Sequence, residues 1–222
     1  MSKQFWAVIA VIAIVFIGIF MVGGNKKSDT NSKNSSASGG TQHVTGKGTT
    51  GVTLVEFGDY QCPYCGQYFL TVKEVVAKYG DQITFQFKNF PLTSVHQNAF
   101  AAARAAEAAG LQGKFWEMNE VLYTNQSAWS EQTDATPIFA QYAQQLGLNV
   151  EQFKKDSSSS KVNDLINADM AAGTKLKVTG TPAFFINGKK IDVSNSVESF
   201  SKQRDAAIAD QAKKSSSSTT QQ

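Results

Sequence analysis

Hydrophobic and polar positions divide the chain into unlike stretches. Residues 5–22 are eighteen apolar residues without a charge, about the minimum needed to cross the hydrocarbon core of a bilayer. Residues 25–51 are mostly Ser, Asn, Thr, Gly and Lys, with Asp29, Ala37, Gln42, His43 and Val44 as the exceptions; this has too little apolar surface to offset the entropy of ordering and predicts a flexible tether. From Val52 onward the pattern becomes periodic. Residues 52–57 read as a half-buried strand, 58–61 as a loop, and 63–69 as the opening turns of a helix with Pro63 at its first position. Residues 83–87 alternate apolar and polar as a second strand. A long helical stretch follows, in pieces: 97–109 stopped by Gly110, 114–123, 137–146 stopped by Gly147, 150–155 and 161–175. Residues 183–186 and 189–193, joined by Asn187-Gly188, predict a hairpin on a tight turn. Residues 196–212 make a closing helix, and 213–222 a disordered polar tail. The periodic part, about 160 residues long, suffices for one domain with its own core.

Charge and composition place this domain. The chain carries a net charge of +3, but residues 1–50 hold five Lys and one Asp, leaving 16 basic and 17 acidic residues from 51 to 222. The basic balance belongs to the first two stretches, so it gives no support for binding nucleic acid. The apolar run exceeds the ~7–15 residues of a cleaved signal, and Met21-Val22-Gly23-Gly24-Asn25 offers no small-x-small cleavage site, so residues 1–24 are expected to be an uncleaved membrane anchor. No cysteine follows the run to carry a lipid. Lys3 lies on one side and Lys26 and Lys27 on the other, so positive charges do not decide the orientation. An anchor, a tether and a domain with a cysteine pair suit a single-pass protein of the cell membrane whose folded part lies outside the cytoplasm, where disulfides persist.

The candidate chemistry is that pair. Cys62 and Cys65 are the only cysteines, three residues apart where a strand gives way to a helix. A zinc site needs about four ligands; the chain adds only His43 and His96, one of them in the tether, so no metal is expected. A bridge over so short a loop is a poor structural staple, because the stabilisation grows with loop length. A redox pair leads. Cys62 falls at the helix N-cap, where unpaired N–H groups and the positive end of the dipole favour its thiolate. It is expected to be the exposed, attacked sulfur, and Cys65, one turn in, the shielded sulfur that resolves mixed disulfides.

The order of strand, Cys-Pro-Tyr-Cys helix, strand, helical block, Thr181-Pro182, hairpin and closing helix resembles a thioredoxin fold with a helical insertion, and is similar to the DsbA family of bacterial disulfide oxidoreductases. The segments that carry the likeness are Val55-Glu56-Phe57-Gly58-Asp59-Tyr60-Gln61-Cys62-Pro63-Tyr64-Cys65, Phe87-Lys88-Asn89-Phe90-Pro91-Leu92 and Val178-Thr179-Gly180-Thr181-Pro182-Ala183-Phe184-Phe185-Ile186-Asn187-Gly188. The resemblance implies an α/β fold with a central mixed sheet flanked by helices, its thioredoxin-like part formed by residues 52–93 and 177–212 and its helical insertion by 94–176. It implies a cis bond before Pro182, with Thr181 and Pro182, beside Pro63 and Tyr64, receiving an extended substrate; an X-Pro bond is where a cis peptide is affordable. The other reading of Pro182 is an ordinary trans proline opening a strand. Glu56 stands where the family places a buried acid that shuttles the proton of Cys65; the competing reading is a solvated strand residue. His96 reads as flanking the helix near Gln97 and not as a base. The implied partners are reduced exported proteins and a membrane-bound, quinone-linked reoxidase, with no cofactor in the chain itself. The function expected is introduction of disulfides into exported proteins. Pro-Tyr also separates the cysteines of glutaredoxins, so an exported reductase or isomerase is the alternative, and a redox-inactive tethered chaperone a third.

Overall fold

The structure, a computed structural model, describes residues 40–219. The expected anchor and most of the expected tether lie outside the described residues. Among those described, no helix is long and apolar enough to cross a membrane.

Five strands form one sheet: β1 (His43–Thr45), β2 (Val52–Gly58), β3 (Ile83–Asn89), β4 (Ala183–Ile186) and β5 (Lys189–Ile191), in the order β1-β3-β2-β4-β5. β2 and β3 are parallel and the other neighbours antiparallel. The parallel pair needs a crossover, which α1 (Pro63–Tyr79) supplies, while Asn187 and Gly188 close the β4–β5 hairpin with positive φ at both positions, 50° and 79°. That is the backbone a two-residue turn requires and the reason Asn-Gly serves it. The sheet is the mixed one expected.

Residues 94–176 contribute α2 (Ala99–Leu111), α3 (Phe115–Thr124), α4 (Gln126–Trp129), α5 (Thr136–Gln145), α6 (Val150–Ser157) and α7 (Ser160–Lys175); α8 (Val197–Thr219) closes the fold. Local caps delimit two of them: Asn149 accepts from the Gln152 N–H and Ser159 from the Val162 N–H, satisfying donors that a helix start leaves free. Alternation along the strands splits the core. Val52, Leu54, Phe87, Phe184 and Ile186 face α1 and the insertion in one cluster. Phe57, Ala183 and Phe185 pack with Phe90 and Val178 in a second. Glu56, two residues on from Leu54, falls on the larger cluster's side of β2.

Three expectations are corrected. The tether does not run to Gly51: His43–Thr45 pairs with β3, and Thr41 is fixed through its N–H and hydroxyl to the buried carboxylate of Asp169, at 2.9 and 2.5 Å. Gly110 does not stop α2, which runs to Leu111; a Cβ there would lie 3.3 Å from His43 and 3.4 Å from Phe115, so this glycine permits close packing. The closing helix continues to Thr219, through most of the expected tail.

Candidate active site

β2 ends at Gly58, the chain turns through Asp59, Tyr60 and Gln61, and α1 starts at Pro63 with Cys62 as its N-cap in extended backbone. Pro63 suits this place because the first helical N–H has no intrahelical partner to lose. Both cysteines are free thiols, 4% and 0% exposed. The sulfur of Cys62 is thus less open than its expected role suggested, whereas Tyr64 beside it is 65% exposed. From the far end of the chain the Thr181–Pro182 peptide, which is cis, brings the Thr181 carbonyl 3.3 Å from Cys62 Sγ. Tyr64, Thr181, Pro182, Lys190 and Asp192 border a groove of about 380 Å³ next to that contact.

The electrostatics separate the two sulfurs. A hydrogen bond from the Cys65 thiol is the largest cause lowering the Cys62 pKa from 9.0 to about 5; burial opposes it, and the Thr181 side chain and the backbone N–H groups of Cys65 and Tyr64 add to it. Thr181 acts in two senses: its carbonyl accepts from the protonated thiol, while its buried hydroxyl, which has no hydrogen-bond partner beside the thiol, favours the thiolate. Cys65 is pushed well above the ordinary thiol range, first by burial, then by its bond to Cys62 and by the charge of Glu56. Glu56 is 4% exposed, which removes the solvated reading. Burial, and then the charge of Cys62, raises its carboxyl from 4.5 to about 8. An apolar cleft of about 200 Å³ between α1 and α3, walled by Phe69, Val72 and Trp116, reaches Glu56 and Tyr123; the unpartnered hydroxyl of Tyr123 is buried there.

Residues that sequence reasoning passed over hold the loop. The Asp59 carboxylate, buried, accepts from the N–H groups of Gln61 and Leu92 and pairs with His96 Nδ1 at 2.7 Å, while the Asp59 N–H points at Cys65 Sγ, 3.5 Å away. His96 therefore braces the loop from the insertion side. Gln61 Oε1 accepts from the Asn98 N–H and its Nε2 donates to the Ser130 carbonyl. Gln126 Nε2 donates to the carbonyls of Tyr60 and Cys62 at 2.7 and 2.9 Å. Asp59 and Gln61 stand in the motif itself and were open to notice; Gln126 lies 64 residues beyond Cys62 in a stretch without periodicity. Among the described residues, no group of three or more His, Cys, Asp or Glu is placed to hold a metal ion.

Comparison with known proteins fits this geometry. A family model described as thioredoxin matches residues 38–206. The chain resembles the crystal structure of a thioredoxin-like oxidoreductase from Silicibacter pomeroyi DSS-3, with 28% identity and a TM-score of 0.61 over 77% of this chain and 91% of that one. In fold it is similar to oxidised BdbD from Bacillus subtilis, with 22% identity and a TM-score of 0.67 over 79% and 100%. It is likewise similar to α-DsbA1 from Wolbachia pipientis, with 20% identity and a TM-score of 0.67 over 77% and 92%. Among curated proteins it is 40% identical over 152 residues to the Na(+)/H(+) antiporter NhaA 1 of Mycolicibacterium gilvum (strain PYR-GCK), covering 67% of this chain and 24% of that protein. The chain spans about a quarter of the length of the curated relatives it matches.

Proposed function

The chain belongs to the thioredoxin family, with the helical insertion of its DsbA-like neighbours in fold, and from that premise we propose that it is an extracytoplasmic thiol:disulfide oxidoreductase that introduces disulfides into exported proteins. A substrate thiolate attacks Cys62 of the Cys62–Cys65 disulfide, the S–S bond breaks, and Cys65 leaves with the bonding electrons and takes a proton. A second substrate thiolate attacks the substrate sulfur of the mixed disulfide and releases Cys62 as a thiolate. The substrate has lost two electrons and the protein has gained them. Cys65, whose pKa is raised, must be protonated on leaving; we assign the proton to Glu56, whose carboxyl is held protonated above the usual carboxylate range by burial, with the cleft that reaches it as the route to water. The groove bordered by Tyr64, Thr181 and Pro182 receives the extended substrate. Return to the disulfide needs an oxidant, assigned here to a membrane-bound, quinone-linked partner.

What supports the donor direction is the setting of Cys62 at the N-cap of α1, beside the Cys65 thiol and Thr181, which holds its pKa down at about 5. A stabilised thiolate stabilises the reduced protein, and thus makes its disulfide the better oxidant; comparable thiols run from about 7 in thioredoxin to about 3.5 in DsbA, with potentials from about −270 to about −120 mV. The test is the equilibrium of Cys62–Cys65 with a glutathione redox series, using the full chain in detergent. A potential near or above about −150 mV supports disulfide donation; one below about −230 mV removes the donor reading and leaves the reductase or isomerase. Cys62→Ser must abolish exchange, which a redox-inactive chaperone would not require.

The membrane location rests on residues 5–22, and on a similar segment forming about a quarter of proteins named as Na(+)/H(+) antiporters, which supports a domain held at a membrane. The full chain is expected in the membrane fraction after a carbonate wash, with Cys62 labelled in intact cells by an impermeant thiol reagent once an impermeant phosphine has reduced its disulfide. Release by carbonate, or labelling only after lysis, would contradict that placement.

A further inference from the structure

The short helix α4 has no apolar periodicity, yet it meets the redox loop at its centre. Gln126, its first residue, spans two carbonyls with one amide nitrogen, that of Tyr60 at 2.7 Å and that of Cys62 at 2.9 Å. The Cys62 carbonyl also accepts the Gly66 N–H at 3.1 Å, the bond that begins α1. The helix supplying the amide is anchored three residues on by Trp129, which is 0% exposed and donates from its indole to the Leu122 carbonyl at 2.9 Å. α1 leaves room for this contact at Gly66, where a Cβ would lie 2.7 Å from Gln126 Oε1. One side chain of the insertion thus holds the N-cap residue of the catalytic helix by its carbonyl, while the sulfur of that residue stands at the helix N-terminus, 3.3 Å from the Thr181 carbonyl and with no cap hydrogen bond of its own as a thiol.

We propose that Gln126 is a positioning residue of the redox centre: its amide, bridging the Tyr60 and Cys62 carbonyls, holds Cys62 where the N–H groups of Tyr64 and Cys65 stabilise its thiolate. The insertion then tunes the reactivity of Cys62 as well as covering the sheet. A helix start that loses this brace samples other N-cap conformations, and the thiolate loses donors in each of them. Removing the amide therefore raises the Cys62 pKa and moves the protein's equilibrium with glutathione toward the disulfide. The inference rests on the disulfide-exchange reading, and on the short helix being more than packing.

The test compares the full-length parent with Gln126→Leu, which keeps the bulk and removes the donor, and with Gly66→Ala, which keeps Gln126 and crowds its amide. Asp169→Asn, whose hydrogen bonds go to Thr41, Lys88 and Asn89 and not to the redox loop, serves as a stability control. Thiolate absorbance near 240 nm against pH gives the Cys62 pKa, a glutathione series gives the exchange constant, and Tm records stability. We expect both loop variants to raise the pKa by at least about half a unit and to favour the disulfide at least about threefold, a half-unit being a threefold change in the thiolate-to-thiol ratio at fixed pH. Asp169→Asn should lower Tm and leave both redox readouts in place. Parent-like pKa and exchange constant in Gln126→Leu, to within about twofold, overturn the proposal whatever happens to Tm; if that variant does not fold, Gly66→Ala decides on the same criterion. A parent that exchanges no better than Cys62→Ser defeats the underlying function instead, so the two failures are distinguishable.

Discussion

Cys62 and Glu56 compete for one negative charge. With one pKa at about 5 and the other at about 8, the sulfur carries the charge between these limits and the carboxyl keeps its proton. Two consequences for stability have opposite signs. Cys62 is depressed in the folded protein, so its contribution is present above the unfolded value near 9 and is lost as pH falls through about 5. Glu56 is raised, so its contribution is present below the unfolded value of 4.5 and is lost as pH rises through about 8. Reduced Glu56→Gln should therefore be more stable than the parent above pH 4.5, by a margin that widens up to a pH of about 8. At 1.36 kcal/mol per unit the ceiling is roughly 5 kcal/mol, and water entering by the cleft lowers it. Urea midpoints at three pH values measure the margin; one that does not widen with rising pH would mean that Glu56 is ionised in the fold. The same variant should slow exchange most at neutral pH, where the parent carboxyl still holds a proton to give Cys65. For Cys62 itself, absorbance near 240 nm should rise with a midpoint at about 5 in the parent and show no such transition in Cys62→Ser.

At the scale of elements, the described N-terminal segment is fastened to the insertion by buried charge. Asp169 on α7 accepts from the Thr41 N–H and hydroxyl, from Lys88 Nζ at 2.9 Å and from the Asn89 N–H at 3.1 Å. Glu107 on α2 takes His43 Nε2 and Asn89 Nδ2. Taking one partner from a buried pair leaves the other charge unpaired and out of water, so Asp169→Ala should destabilise the protein by about 3–5 kcal/mol, read as a fall in the urea midpoint. A loss below about 1 kcal/mol would mean that Lys88 finds water. These contacts also explain what the sequence concealed. His43-Val44 is too short a signal within a polar tract to announce a strand; its pairing comes from β3 and its anchorage from a carboxylate 128 residues away from Thr41. α4 is likewise defined by what Trp129 and Gln126 touch, not by a pattern of its own. What was legible depended on neighbours in sequence: Pro63 opening α1 after Cys62, the Asn187-Gly188 turn, and the alternation that puts Glu56 among apolar strand residues.

At the scale of the whole molecule, the charges of the domain nearly balance in number, so its net charge is close to zero. Residues 51–222 hold 16 basic and 17 acidic side chains, and the groove beside Cys62 is bordered by one of each sign, Lys190 and Asp192. A nearly neutral body with a balanced groove neither attracts nor repels a polypeptide by its net charge. Recognition then has to come from short-range contacts, and the groove offers backbone groups at Thr181 together with the ring of Tyr64, which suit an extended chain of any charge. Exchange with reduced cysteine-containing peptides should accordingly depend weakly on salt. At matched pH, raising ionic strength from about 0.05 to 0.5 M should change the second-order rate by less than about twofold for peptides of either net charge, since screening acts only where a net field exists. A steep fall with salt for one sign of peptide, and a rise for the other, would reveal a charged face near Cys62 that steers substrates, and would replace backbone recognition with electrostatic selection.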